Sequence, residues 1–269
     1  MRPTDFSAAA YTAHTGPSAR PNQRNFLLQL LPSAEYDVVE REIEPVTLEL
    51  GTVLAEPAQP PGHVYFPETC VVSVVSATDG VDGVEVGTIG NEGMIGLSVV
   101  LGAAPPPDRT LVQVAGEGWR LPVDRFTDAA ERLPRFQRLL RQYTHAYLVQ
   151  VSQTAACNRL HEIEQRCARW LLMTHDRVWR APQFALTQEF LAIMLGARRA
   201  GVSEAAGALQ ARGLIRYTWG KISVLDRRGL EAAACPCYGI VRDHFARTFG
   251  VSESVERSGA ANTSPDVAQ

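Results

Sequence analysis

Lysine is almost missing from this chain: of its 26 basic residues only Lys221 is a lysine, so its cationic contacts fall to arginine. Long hydrophobic runs are missing too. No window reaches 18 consecutive apolar residues, which excludes an ordinary membrane-spanning helix. The first 25 residues lack the basic-then-apolar order of an export signal, so a cytoplasmic location without membrane contact is expected.

The five cysteines (Cys70, Cys157, Cys167, Cys235, Cys237) form an odd, scattered set, which argues against a disulfide framework and for reduced thiols. Cys235-Pro-Cys237 is the only close pair. No second Cys/His pair stands nearby at structural-zinc spacing, so packing is expected there and no metal. An N-terminal CxxC-rich cluster for an iron-sulfur centre is absent. His161-Glu162-Ile163-Glu164 does not match HExxH, where two histidines share one helical face. His63 is a lone histidine before an apparent strand, a poor candidate for haem. With no nucleophile and base standing out, no catalytic residue is assigned and an enzyme is not expected. A thiol or metal enzyme built on Cys235 and Cys237 is a distant alternative.

What is present is a folded composition, 45% hydrophobic over 269 residues, and a divided charge. The net charge of −3 conceals 4 basic against 16 acidic residues over 26–130, and 8 basic against 3 acidic over 180–228. One part repels polyanions and the other attracts them.

Between Val46 and Leu121 short β-branched runs are punctuated by Gly and Pro (VTLELGTVL, HVYFP, CVVSVVSA, VEVGTIG, RTLVQVAG), the pattern of an antiparallel barrel or roll. Ala103-Ala104-Pro105-Pro106-Pro107 must be an exposed loop, because consecutive prolines cannot donate to a ladder. From Pro134 to about Val178 Gly and Pro vanish and apolar residues recur at helical spacing. This predicts a long helix opened by Pro134, broken near Cys157-Asn158, then a second helix ending near Trp179. A helix of that length needs a partner for its apolar stripe, and a second copy is the simplest one. The expected division is a disordered tail over 1–24, a β-roll sensor over 25–133, a dimerisation helix over 134–157, a DNA-binding domain over 158–250 and a disordered tail over 251–269.

The C-terminal part carries the functional signal. Thr187 is a good N-cap for QEFLAIML, and Gly196 ends that helix. A second helix from about Arg198 to Gln210 buries Val202, Ala205, Ala206 and Leu209 and presents Arg199, Ala200, Ser203, Glu204 and Gly207 on its other face. Ala192 permits close crossing and Gly196 a tight turn, the features of a helix-turn-helix whose second helix enters the major groove. Two strands around Trp219-Gly220 then form a wing.

From Phe26 to about Gly250 the sequence resembles the Crp/Fnr family of bacterial transcription regulators, most specifically in LTQEFLAIMLGARRAGVSEAAGALQARGLIRY and WGKISVLDRRGLE. The resemblance implies an α+β fold: an antiparallel, cyclic-nucleotide-binding-like β-roll, a long dimerisation helix and a C-terminal winged helix-turn-helix. It further implies a homodimer on palindromic double-stranded DNA, with RNA polymerase as a further partner. It places Arg199 where an arginine reads guanine, with Ala200, Ser203 and Glu204 beside it as base-reading positions. It places Thr187, Gln188, Arg198 and Gly201 at phosphates, and Lys221, as a cation in the wing, is expected to add a further phosphate contact. The sequence departs from well-known members at Ala200 and Glu204, which implies a different half-site.

In cyclic-nucleotide-binding members a Gly-Glu pair holds the ribose, and an Arg followed by a small hydroxyl residue neutralises the phosphate. Here Glu92 and Gly93, Arg109 and Thr110, and Ser152 on the long helix match those places. The proline insertion stretches the cassette, and Val151-Ser152 retains half of an adenine-gripping Thr-Ser pair. The pocket is therefore left unassigned: a cyclic nucleotide stays as an alternative that these departures disfavour, and no cofactor is assigned. The alternative reading is a nucleotide-sensing module that no longer binds DNA.

Overall fold

The structure is a computed structural model that describes residues 23–76, 83–178 and 183–250. The tail segments 1–22 and 251–269 and Trp179 lie outside the described residues. Gln23, placed in the N-terminal tail by sequence, is buried and donates to Tyr36 Oη. Asn25 follows it, capping α1 (Phe26–Gln29) and donating to the carbonyls of Pro67 and Gly93. The entering chain is thereby sewn to the sheets. In α2 (Ser33–Glu40), Glu35 accepts from the backbone N–H groups of Arg135 and Phe136 at 3.1 and 2.9 Å. It thus satisfies donors at the start of the long helix, where Pro134 has none to offer.

Strands β1 (Glu44–Leu48), β2 (Val53–Ala55), β3 (His63–Pro67), β4 (Val71–Ser76) and β5 (Val84–Ile89) lead to the short helix α3 (Leu97–Val100). After the proline loop come β6 (Arg109–Val114) and β7 (Gly116–Pro122). They pair antiparallel in two sheets, β1-β7-β3 and β2-β6-β4-β5, the expected roll. α4 (Val123–Arg132) closes it and packs Phe126 edge-on against Phe136 of α5 (Pro134–Leu160).

The long helix is uninterrupted for 27 residues, about 40 Å. It does not break at Cys157-Asn158 as expected. It ends at His161, because Glu162 and Gln165 form a capping box that starts α6 (Ile163–Arg177). Then follow β8 (Phe184–Ala185), α7 (Gln188–Leu195), α8 (Arg199–Ala211), β9 (Ile215–Thr218), β10 (Lys221–Val224), α9 (Arg227–Ala233) and α10 (Cys237–Phe249). The wing is three-stranded, in the order β8-β10-β9.

One apolar core fills the space between roll and α5, and reaches Val241 and Phe245 of α10. A second joins α6, α7, α8 and the wing to Val71 and Val75 of the roll. Across this second junction α6 carries polar contacts at helical spacing. Trp170 Nε1 donates to Glu85 at 2.9 Å, Thr174 Oγ1 accepts from Gln113 at 3.0 Å, and Arg177 pairs with Glu92 at 2.8 Å.

Glu85 gives this junction a pH dependence. Burial pushes its carboxyl above the ordinary value, and hydrogen bonds from Ser73, Thr88 and Trp170, with the charge of Arg169, pull it back only in part. Between about pH 4.3 and the folded value, the native state holds a proton that the unfolded chain has lost. Stability from this group therefore falls as pH rises through that window. Glu85→Gln is expected to remove the slope, so its urea midpoint should gain on the wild type with rising pH. A difference constant with pH would contradict the assignment.

Candidate nucleic-acid interface

Thr187 caps α7 by accepting from Phe190 N–H at 3.1 Å, and its own hydroxyl hydrogen remains available to a phosphate. Gly196 takes φ +54°, the left-handed conformation that ends α7. Its missing Cβ would stand 2.7 Å from Val84 of β5, so the turn also needs glycine for its approach to the roll. α8 then buries Val202, Ala205, Ala206 and Leu209, the expected four.

The opposite face of α8 exposes Arg199, Ala200, Glu204 and Gly207. Among the described residues neither Arg199 nor Glu204 has an ion-pair partner within 4.0 Å. Ser203 is half-buried: its hydroxyl lies 2.8 Å from Gln188 Oε1 and 3.0 Å from the Arg199 carbonyl, so it links the two helices from the same face. Gly201 lies in the first turn of α8, where backbone N–H groups have no partner within the helix. Exposed Arg198 and Lys221 flank this surface. Arg198 and Arg199 also line a cleft against Gly83, Val84 and Val86 of the roll. Two other cations of the region are held in ion pairs: Arg212 with Glu164 at 2.7 Å, and Arg227 with Asp176 at 2.6 Å and Glu231 at 3.0 Å.

In the sequence Trp219 marks a turn and nothing more. At φ +51°, followed by Gly220 at φ +70°, it forms the two-residue hairpin tip and is 97% exposed. The indole is held in water by a left-handed backbone and packs on nothing among the described residues. The signal for it in sequence is only Trp before Gly between two alternating strands.

The five residues of the cassette are not brought together. Glu92 is buried and its carboxylate is occupied by Arg177 and by the N–H of Gly90. Arg177 also donates to the Met173 carbonyl and to Gln150 Oε1, and Gln150 donates to the Thr88 carbonyl. A Cβ on Gly93 would fall 2.3 Å from the ring of Tyr143, so this glycine admits an aromatic side chain. Arg109 is at the surface, 3.1 Å from Glu56, and Ser152 is exposed on α5. Only Thr110 lines the cavity of about 370 Å³ between roll and α5, beside Met94, Leu97, Tyr147, Leu148 and Val151. That lining contains Asp108 and His63 and no arginine or lysine, so it offers a phosphate no permanent positive charge.

This fold, with a roll, a long helix and a winged helix-turn-helix, is that of Crp/Fnr-family regulators. The chain is similar to FixK2 of Bradyrhizobium japonicum at 16% identity, covering 72% of this chain and 98% of that one with a TM-score of 0.62. It is similar to CLP of Xanthomonas campestris, a c-di-GMP responsive global regulator, at 16% identity, 72% and 99% coverage and a TM-score of 0.57. A transcriptional regulator of the family from Thermus thermophilus matches at 20% identity, 71% and 98% coverage and a TM-score of 0.57. Residues 165–233 match the family described as the Crp-like helix-turn-helix domain, so the chain carries that domain in its C-terminal part. No curated protein matches the sequence. Among the described residues no helix is long and apolar enough to cross a membrane.

Proposed function

We propose that the protein is a sequence-specific, DNA-binding transcription regulator that acts in the cytoplasm as a homodimer on palindromic DNA. The observation that carries this reading is the exposed face of α8, where Arg199, Ala200 and Glu204 lie together with the unpaired first-turn N–H groups of α8 and the N-cap of α7. Arg199 reads a guanine, Glu204 accepts from a cytosine amino group, and Ala200 contacts a thymine methyl. Thr187, Gln188, Arg198, Gly201 and Lys221 hold phosphates, and Trp219 at the wing tip meets the adjoining backbone or minor groove.

The partner copy docks along α5, where Leu148 is 57% exposed and Ser152, Ala155 and Leu160 lie exposed beyond it. Two copies so joined set their recognition helices about 34 Å apart on one side of the duplex, leaving the outer surface to RNA polymerase. The signal enters at the cavity beside Thr110 and Tyr147, whose lining favours an uncharged apolar ligand over a cyclic nucleotide.

Selection of bound sequences from random DNA should return a palindrome. Arg199→Ala should cost about 1 to 3 kcal/mol and relax preference at one base pair in each half-site. Retained specificity in that variant refutes the assignment of Arg199. Failure to enrich any sequence refutes the reading as a whole.

A further inference from the structure

Where α5 ends and α10 begins, four potential metal ligands meet that the sequence keeps far apart. Cys157 in the last turn of α5 and His161, which ends it, are four residues apart on one helical face. Cys235 and Cys237 flank Pro236 at the start of α10. The sulfurs of Cys157 and Cys235 are 3.4 Å apart, and Cys237 Sγ is 3.5 Å from His161 Nδ1. All four donor atoms lie within 4.8 Å of one another. A tetrahedral zinc ion, with bonds of about 2.3 Å to sulfur and about 2.0 Å to nitrogen, sets its ligands roughly 3.5 to 3.8 Å apart. The cluster is already at the scale of one ion.

The surroundings supply an independent observation. The Nε atoms of Arg166 and Arg169 are buried without a hydrogen-bond partner among the described residues, and Arg169 is only 5% exposed. Both guanidinium charges act on the thiol cluster. Half-buried Arg166 donates only to Asn158 Oδ1 and the Leu195 carbonyl, and buried Arg169 to Thr154 Oγ1, so beside three neutral thiols their charges meet neutral partners alone within hydrogen-bond reach among the described residues. Three thiolates and a neutral imidazole around a divalent ion carry one net negative charge, which these arginines face. Gln153 Nε2 donates to Cys237 Sγ at 3.1 Å, an outer partner of the kind that orients metal-bound thiolates.

We propose that Cys157, His161, Cys235 and Cys237 bind one zinc ion. Thiolate and imidazole donors select zinc over magnesium or calcium, and four protein ligands make the site structural, with no position for a substrate. The ion fastens the hinge between α5 and α6 to α10, whose Val241 and Phe245 are anchored in the roll core. It thereby fixes the angle at which the DNA-binding part leaves the long helix.

The test uses the full-length chain, reduced and freed of metal, titrated with cobalt(II) and then with zinc(II), with circular dichroism to follow folding. The expected result is one ion per chain, the ligand-field and sulfur charge-transfer bands of tetrahedral cobalt, and their loss on adding equimolar zinc. Cys235→Ser and Cys157→Ser should lose the stoichiometric ion. His161→Cys should retain one ion with shifted bands, and Gln153→Ala should weaken zinc binding about 10- to 100-fold. No tetrahedral bands in the wild type, unchanged bands in a folded Cys235→Ser variant, or iron with labile sulfide in the isolated protein would overturn the proposal. So would a Cys157–Cys235 disulfide in protein isolated anaerobically.

Discussion

Glu92→Gln should destabilise the protein by about 3 to 5 kcal/mol, because it removes the Glu92 carboxylate from the buried Arg177 guanidinium. Both side chains are 5% exposed, so little solvation is available to the guanidinium in place of the lost carboxylate. For a protein of this size the melting temperature should fall by on the order of 10 °C. Replacing both partners, Glu92→Gln with Arg177→Met, should recover most of the loss, since removing the pair together strands no charge. Arg109, which shares the cassette, pairs with Glu56 at the surface and should be worth about 1 kcal/mol or less. If Glu92 served a ribose instead, its replacement would spare the melting temperature and abolish binding of a cyclic nucleotide. That pattern in calorimetry would sink the structural role.

Gly93→Ala should cost about 1 to 3 kcal/mol or more through overpacking. The added methyl meets three atoms of the Tyr143 side chain at 2.3 Å, and Tyr143 is fully buried with its hydroxyl donating to the Met94 carbonyl at 3.2 Å. The ring cannot yield without breaking that bond and disturbing the aromatic packing against Tyr147. Gly93→Ala combined with Tyr143→Leu should therefore be less unstable than the two single losses added together. Additive denaturation midpoints would show that the methyl is accommodated elsewhere.

The sequence reveals local geometry well and distant partnership poorly. Val202, Ala205, Ala206 and Leu209 can be read as buried because helical spacing is a local property, and Gly196 as a turn because a tight turn demands its backbone. The cassette around Glu92 is legible as a pattern. Its use is not, since Arg177 lies 85 positions away and nothing near Glu92 announces it. The clustered thiols and imidazole escape notice for the same reason. Cys157 and Cys235 are 78 positions apart and His161 and Cys237 76, so each pair looks alone until the long helix and α10 are laid side by side. The end of α5 is misplaced by a few residues because Asn158 resembles a stop, whereas the capping box at Glu162 decides the matter.

Trp170, Thr174 and Arg177 form one row along α6, and each meets a different part of the roll through a directional polar bond. Apolar surfaces tolerate sliding, but hydrogen bonds weaken steeply when their angle opens. A rotation of α6 large enough to release one of these contacts misaligns the other two. The row therefore works as a detent: the three contacts hold or fail together, so the helix-turn-helix part is seated on the roll in one orientation rather than sliding through a range of them.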